Sequence, residues 1–239
     1  HEAGLPKGAL NVVLGEGRAV GGELAANPAV VALSFTGSYP IGRTIYQQLA
    51  PRLARAQMEM GGKNPTIVLA DADLDLAASL VARAGFGLTG QACTATSRAI
   101  VERAVLDVFL EKLEAKARAL RVGNGLTPGV DMGPAVSEAQ LLSNLDHIER
   151  AVKAGAKILF GGERLTDGAW ANGWFMQPTL LTDVRPDMAI ACEEVFGPVV
   201  AVMAVQDFDE ALRVANGVDV GLSASLVTRD LKKAMLYAE

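Results

Sequence analysis

Two side chains with chemical potential stand in contrasting settings. Cys93 lies in the small, polar stretch TGQACTATSR, Thr89 to Arg98. A thiolate in such a loop, helped by backbone N–H groups or cationic neighbours, can attack an electrophilic carbon. A lone cysteine is also commonly a small buried hydrophobe, and by residue type alone both readings stand. A thiol protease would need a histidine base, and the sequence holds only His1 and His147, the latter on a helical stretch where it reads as a surface residue. Glu59, in MEMGGKNP, sits in an apolar, strand-like context where burial would raise its pKa towards the range of a general base. The alternative is an edge-strand carboxylate bonded to a partner.

Two more stretches carry weaker signals. In FTGSYPIG a strand runs through Thr36, Gly37 and Ser38 into a helix, which places free N–H groups, a hydroxyl and a positive helix end at one point. That suits a phosphate, but Gly37 and Gly42 are equally ordinary turn glycines. Neither this stretch nor Gly15, Gly17 and Gly21 has the G-x-G-x-x-G spacing of a dinucleotide fingerprint. In EEVFGP, Glu193 to Pro198, the carboxylates could hydrogen-bond a ribose or merely cap a helix. Cys192 reads as structural. With two cysteines and two histidines, no metal site and no disulfide framework is expected.

Elements of alternating type must position these residues. Leu10 to Leu14 reads as a strand, followed by a helix through Ala26 that Asn27-Pro28 stops. Val30 to Phe35 is a second strand, and a helix begins near Tyr39-Pro40 and runs past Gln48. Gln57 to Met60 and Pro65 to Leu69 read as strands, with Asp73 as N-cap of a helix to about Phe86. After the Cys93 loop come a strand from Ala99 to Glu102 and a helix from Leu106 to Leu120, whose buried face holds Leu106, Phe109, Leu110, Leu113 and Ala117. A helix from Ser137 to Ala154 and a strand from Lys157 to Phe160 follow. Strands at Thr179 to Val184, Val199 to Val205 and Ser223 to Val227, with a helix from Asp209 to Ala215, complete the series. The alternation predicts an α/β architecture with mostly parallel sheet.

Composition narrows the function class. At 239 residues and 50% hydrophobic, the chain can bury one large or two modest cores. A net charge of -5, without long runs of Lys or Arg, argues against nucleic acid as a partner. The longest apolar stretches fall short of the ~20 residues of a spanning helix, so no membrane association is expected. The opening HEAGLPKG has no signal-peptide pattern, and the scarcity of cysteine fits a reducing, cytoplasmic setting. The opening and the close at KKAMLYAE both read as cut ends of a longer chain.

Taken in order, MEMGGKNP, FGLTGQACTATSR and EEVFGP resemble the glutamate, cysteine and nicotinamide-side motifs of the aldehyde dehydrogenase superfamily. EAGLPKGALNVVLG, GWFMQPTLL and GLSASLVTRD extend the resemblance over essentially the whole sequence. The resemblance implies a partial Rossmann-like cofactor domain over 1-61, followed by an α/β catalytic domain over 62-239 that is incomplete at its C-terminus. The Cys93 loop would face the cleft between them. It implies Cys93 as nucleophile and Glu59 as the base that activates water. It also implies NAD or NADP as cofactor: Ser38 at the pyrophosphate, Gly37 and Gly42 allowing close approach, Met60 with its main chain near the nicotinamide, Glu194 on the nicotinamide ribose and Phe196 beside it. The substrate would be a small-molecule aldehyde, with CTATSR similar to members acting on small polar or semialdehyde substrates, and the assembly a homo-oligomer. The family's side-chain oxyanion donor, an asparagine, would lie upstream of residue 1, leaving the Cys93 backbone N–H as the assignable donor. Two other readings are a non-catalytic fragment that at most binds nucleotide and a coenzyme A-acylating relative.

Overall fold

The computed structural model describes residues 3–239 and divides into two compact units, His1–Met60 and Gly61–Glu239. In the first, a π-helical turn over Gly17–Gly21 runs into the short helix α1 (Gly22–Ala26), which ends at Asn27 in an extended conformation. Strand β1 (Ala32–Gly37), helix α2 (Tyr39–Leu49) and strand β2 (Arg55–Met60) follow, with β1 and β2 paired in parallel from Ala32 opposite Arg55 to Gly37 opposite Met60. Arg52 ties the unit together by donating to the carbonyl oxygens of Val30 and Ala25.

Leu10 to Leu14, expected as a strand, forms none, and Leu14 is 89% exposed. A strand needs a neighbour to take its backbone hydrogen bonds and cover its side chains. In this unit the described strands are β1 and β2, and they pair with each other.

The second unit comprises β3 (Pro65–Val68), α3 (Leu74–Phe86), β4 (Arg98–Glu102), α4 (Leu106–Ala119), α5 (Glu138–Lys153), β5 (Lys157–Phe160), β6 (Arg164–Leu165), β7 (Phe175–Met176), β8 (Thr179–Thr182), α6 (Ala189–Cys192), β9 (Val199–Val205), α7 (Phe208–Asn216), β10 (Ser225–Val227) and α8 (Leu231–Ala238). Six strands form one sheet in the order β10-β3-β4-β9-β8-β5, parallel throughout except for the edge strand β5, which runs antiparallel to β8.

Both faces of this sheet are buried, which is why its central strands read as unbroken apolar runs. Alternation sends Val68, Ala99, Val101, Val200 and Val202 to one side, against Val81 and Phe86 of α3 and Phe109 and Leu113 of α4. Ile67, Ile100, Ala201 and Met203 point the other way, against Leu141 and Ile148 of α5, Ile190 of α6 and Phe208 of α7. The helices start on side-chain caps: Asp73 accepts from the Leu76 N–H, Ser137 from Gln140, Asp207 from Glu210, and Asp230 from Lys232 and Lys233. Among the described residues no helix is long and apolar enough to cross a membrane.

Candidate active site

Five of the singled-out residues lie in the first unit. Ser38 sits at the N-cap of α2 with extended backbone, and its exposed hydroxyl makes no capping hydrogen bond, so it is uncommitted at the positive end of an 11-residue helix. The close approach at Gly37 and Gly42 is made within the protein. A Cβ on Gly37 would come 2.5 Å from the Phe35 ring, and one on Gly42 would come 2.6 Å from Met60 Sδ and 3.2 Å from Phe35. Met60 thus packs over α2 where the missing side chain leaves room.

Of the two readings of Glu59, the edge-strand, partner-bonded one matches the structure: β2 alternates between exposed and partly buried positions, and Glu59 falls on the exposed face. Its Oε1 accepts from Nε2 of Gln57, two residues back on the same face, at 3.1 Å. Apolar Met58 and Met60 point to the other side, so the flanking residues that suggested burial do not cover it. The carboxylate is free to meet water.

In the second unit Cys93 is a free, exposed thiol in the turn between α3 and β4. Its loop is fixed from several directions. Leu88 (φ 52°), Thr89 (φ 60°) and Gly90 (φ 65°) form three successive left-handed residues, two of them with side chains that disfavour this region. Thr89 Oγ1 donates to the Gly133 carbonyl at 3.1 Å. Gln91 accepts from the Val136 N–H at 2.7 Å. Gly90 is packed so closely on the Gly197 carbonyl that a Cβ there would overlap it. The fully buried Asn64 donates from Nδ2 to the carbonyls of Cys93, at 2.8 Å, and Ala95, at 3.0 Å. Arg98, the cation that ends the motif, is turned away into the protein, where it donates to the carbonyls of Lys63, Val214 and Ala215 at the end of α7.

The contact between Gly90 and Gly197 joins the cysteine loop to the Glu194 segment. Phe196 has left-handed backbone (φ 57°) and a 37% exposed ring. The Glu194 carboxylate lies directly over Gly61, where any side chain would collide with it. Burial raises the Glu194 pKa above the usual carboxylate range, opposed by the Lys63 ammonium and by a hydrogen bond from the Gly62 N–H. Lys63 itself is 1% exposed and its Nζ has no hydrogen-bond partner in the described protein. Desolvation, then Arg98, lowers its pKa to about 7, against the pull of Cys192, Glu194 and Glu193.

His147 is not the surface residue its helix suggested: its side chain is 13% exposed. Its Nδ1 lies 2.8 Å from Arg150, which also donates to Glu193 at 2.9 Å. Burial and then Arg150 hold its pKa below the usual histidine value, and Glu193 is ion-paired with Arg150. Cys192 donates from Sγ to the Pro186 carbonyl. Among the described residues, no group of three or more His, Cys, Asp or Glu side chains is arranged to hold a metal ion.

Gly37, Ser38, Gly42, Glu59 and Met60 therefore belong to one unit, and Cys93, Glu194 and Phe196 to the other. Lys63 and Asn64 escaped the motif reading although they sit inside MEMGGKNP. Their signal was a lysine and an asparagine immediately before an apolar strand, a place where polar side chains are buried only with partners or at a cost.

Known proteins resemble the chain over its whole length. The aldehyde dehydrogenase family model matches residues 1–239. An α-ketoglutarate semialdehyde dehydrogenase of Haloferax volcanii is 51% identical over 100% of this chain and 49% of its own length. An α-ketoglutaric semialdehyde dehydrogenase of Bacillus subtilis is 44% identical, again over 100% of this chain and 49% of its own. The chain thus spans about half the length of the curated relatives it matches. The crystal structure of betaine aldehyde dehydrogenase from Staphylococcus aureus with NAD+ superposes with a TM-score of 0.96 at 34% identity, covering 99% of this chain and 47% of that one. That of 3,6-anhydro-L-galactose dehydrogenase in complex with NAP gives a TM-score of 0.96 at 39% identity, covering 99% and 50%.

Proposed function

Because the chain belongs to the aldehyde dehydrogenase family, we propose that it carries the nucleophile and hydrolytic base of an NAD- or NADP-dependent enzyme that oxidises a semialdehyde, of the α-ketoglutarate semialdehyde type, to its acid. The observation that carries this reading is the exposed Cys93 thiol on a loop braced against the Glu194 segment through Gly90 and Gly197. The substrate class rests on the identity of 51% and 44% to the two semialdehyde dehydrogenases.

The residues present suit a dinucleotide. Ser38 offers a hydroxyl not used as a cap, with the N–H groups of the first turn of α2 beside it. Glu194 offers a carboxylate for ribose hydroxyls, and Phe196 an exposed ring for the nicotinamide end. In this reading residues 1–61 are the later part of the cofactor domain and 62–239 the catalytic domain. When bound, the cofactor supplies the hydride acceptor.

Cys93 acts first. Its thiolate forms a carbon–sulfur bond to the aldehyde carbon, and the carbonyl electron pair moves to oxygen, where the Cys93 backbone N–H donates to it. Oxidation of that carbon leaves a thioester on Cys93. Glu59 takes a proton from water as the water oxygen adds to the thioester carbon, and the acid departs as Cys93 regains its thiolate. Exposure of Glu59 leaves water room to reach it. Two free cysteines fit a reducing, cytoplasmic setting, and a homo-oligomer is the expected assembly.

The test is reduced-cofactor production from α-ketoglutarate semialdehyde with NAD and with NADP. Cys93→Ala is expected to lower turnover more than about 10³-fold. Glu59→Gln is expected to preserve the first burst of reduced cofactor and slow the steady state. Unchanged turnover in Cys93→Ala overturns the reading. Cofactor binding without turnover in the parent would indicate a nucleotide-binding fragment, and acid release only with coenzyme A an acyl-transferring relative.

A further inference from the structure

Three consecutive carbonyls of the cysteine loop are captured by side chains from elsewhere in the second unit. Asn64 Nδ2 donates to Cys93 at 2.8 Å and to Ala95 at 3.0 Å, and Ser223 Oγ donates to Thr94 at 3.3 Å. Asn64 Oδ1 in turn accepts from the Ser223 backbone N–H at 3.0 Å. Both amide hydrogens and the amide oxygen are thereby used, which fixes the orientation of the Asn64 side chain. The Asn64 main-chain carbonyl also accepts from Ser97 and Arg98, at 3.1 and 3.2 Å, so this one residue grips the loop both within its turn and beyond it. Asn64 is 2% exposed, whereas Cys93 is exposed.

We propose that Asn64, seconded by Ser223, is the positioning residue for Cys93. Holding the Cys93 carbonyl fixes the rotation about its Cα–C bond, one of the two soft backbone torsions of that residue. Across a trans peptide the following N–H points away from the carbonyl, so the Thr94 N–H is turned to the side opposite Asn64. Aspartate is nearly isosteric, but its ionised carboxylate only accepts and cannot donate to either carbonyl. The demand is therefore for an amide, not merely a polar group. The inference rests on Cys93 being the nucleophile.

The experiment compares Asn64→Ala, Asn64→Asp and Ser223→Ala with the parent. Iodoacetamide alkylation of Cys93 is followed by peptide mass spectrometry without aldehyde or cofactor, and Cys192 in the same sample reports general unfolding. Freeing the loop is expected to raise the ratio of Cys93 to Cys192 alkylation rates about threefold or more in both Asn64 variants, and less in Ser223→Ala. With substrate, kcat is expected to fall about tenfold or more while KM stays within about twofold, because misaim of the nucleophile affects the chemical step. A ratio unchanged in the Asn64 variants and in Ser223→Ala overturns the proposal. If the Asn64 variants do not fold, Ser223→Ala decides: a raised ratio supports it and an unchanged one overturns it. If the parent turns over no aldehyde, the alkylation ratio still tests the positioning, since it needs no turnover.

Discussion

Lys63 sets burial against charge. Its pKa of about 7 in the folded protein lies below the lysine value of 10.5. Below about pH 7 both folded and unfolded chains carry the proton, and the full cost of burying the ammonium is present. Between these values the unfolded chain binds more protons than the folded one, so stability from this group rises with pH. Lys63→Met is therefore expected to stabilise the protein most below about pH 7, with the gain shrinking towards pH 10. Urea unfolding across that range checks it, and a gain that ignores pH would contradict it. The left-handed run before Cys93 makes a second pair of expectations. Leu88→Gly relieves strain at an exposed position and should stabilise by about 0.5–1 kcal/mol, the strain of a left-handed leucine less the entropy of glycine. Gly90→Ala must displace the Gly197 carbonyl and should cost about 2 kcal/mol or more. None of this backbone geometry was legible in the sequence, because leucine and threonine do not announce a positive φ. For Glu59 the sequence left burial and a bonded edge position both open: period-2 alternation separates it from the methionines that flank it, so apolar neighbours in sequence are not neighbours in space and the edge position holds.

At the scale of elements, β3, β4 and β9 were legible because sheet burial on both faces leaves an unbroken apolar run. Helix α3 was legible from its cap, Asp73, and α5 from its long amphipathic pattern between Ser137 and Ala154. Asp73→Ala should cost about 1 kcal/mol, read as a lowered thermal midpoint, since one N–H of the first turn of α3 loses its acceptor. The hairpin of β6 and β7 has two residues per strand and α6 has four, too few to show a period, and these went unread. Leu10 to Leu14 shows the converse: an apolar run states an appetite for burial without stating that a partner is at hand.

For the whole molecule, the core is unequally shared. Both buried clusters lie in Gly61–Glu239, whereas the first unit buries little beyond Ala25, Gly42 and Leu49 and owns a two-stranded sheet. Small two-stranded assemblies are marginal in water. Residues 61–239 produced alone should unfold cooperatively, with helix content retained by circular dichroism, and residues 1–60 alone should show no cooperative transition. A cooperative transition in the shorter piece would refute that division of stability.

The exposed Leu10, Val12, Val13 and Leu14 also bear on colloidal behaviour. A net charge of -5 sets the long-range repulsion between molecules, and that repulsion reaches only about 10 Å in 0.1 M salt. Salt that shortens this range leaves the apolar ribbon's attraction intact, so the protein is expected to become less soluble as ionic strength rises, which light scattering across a salt series checks.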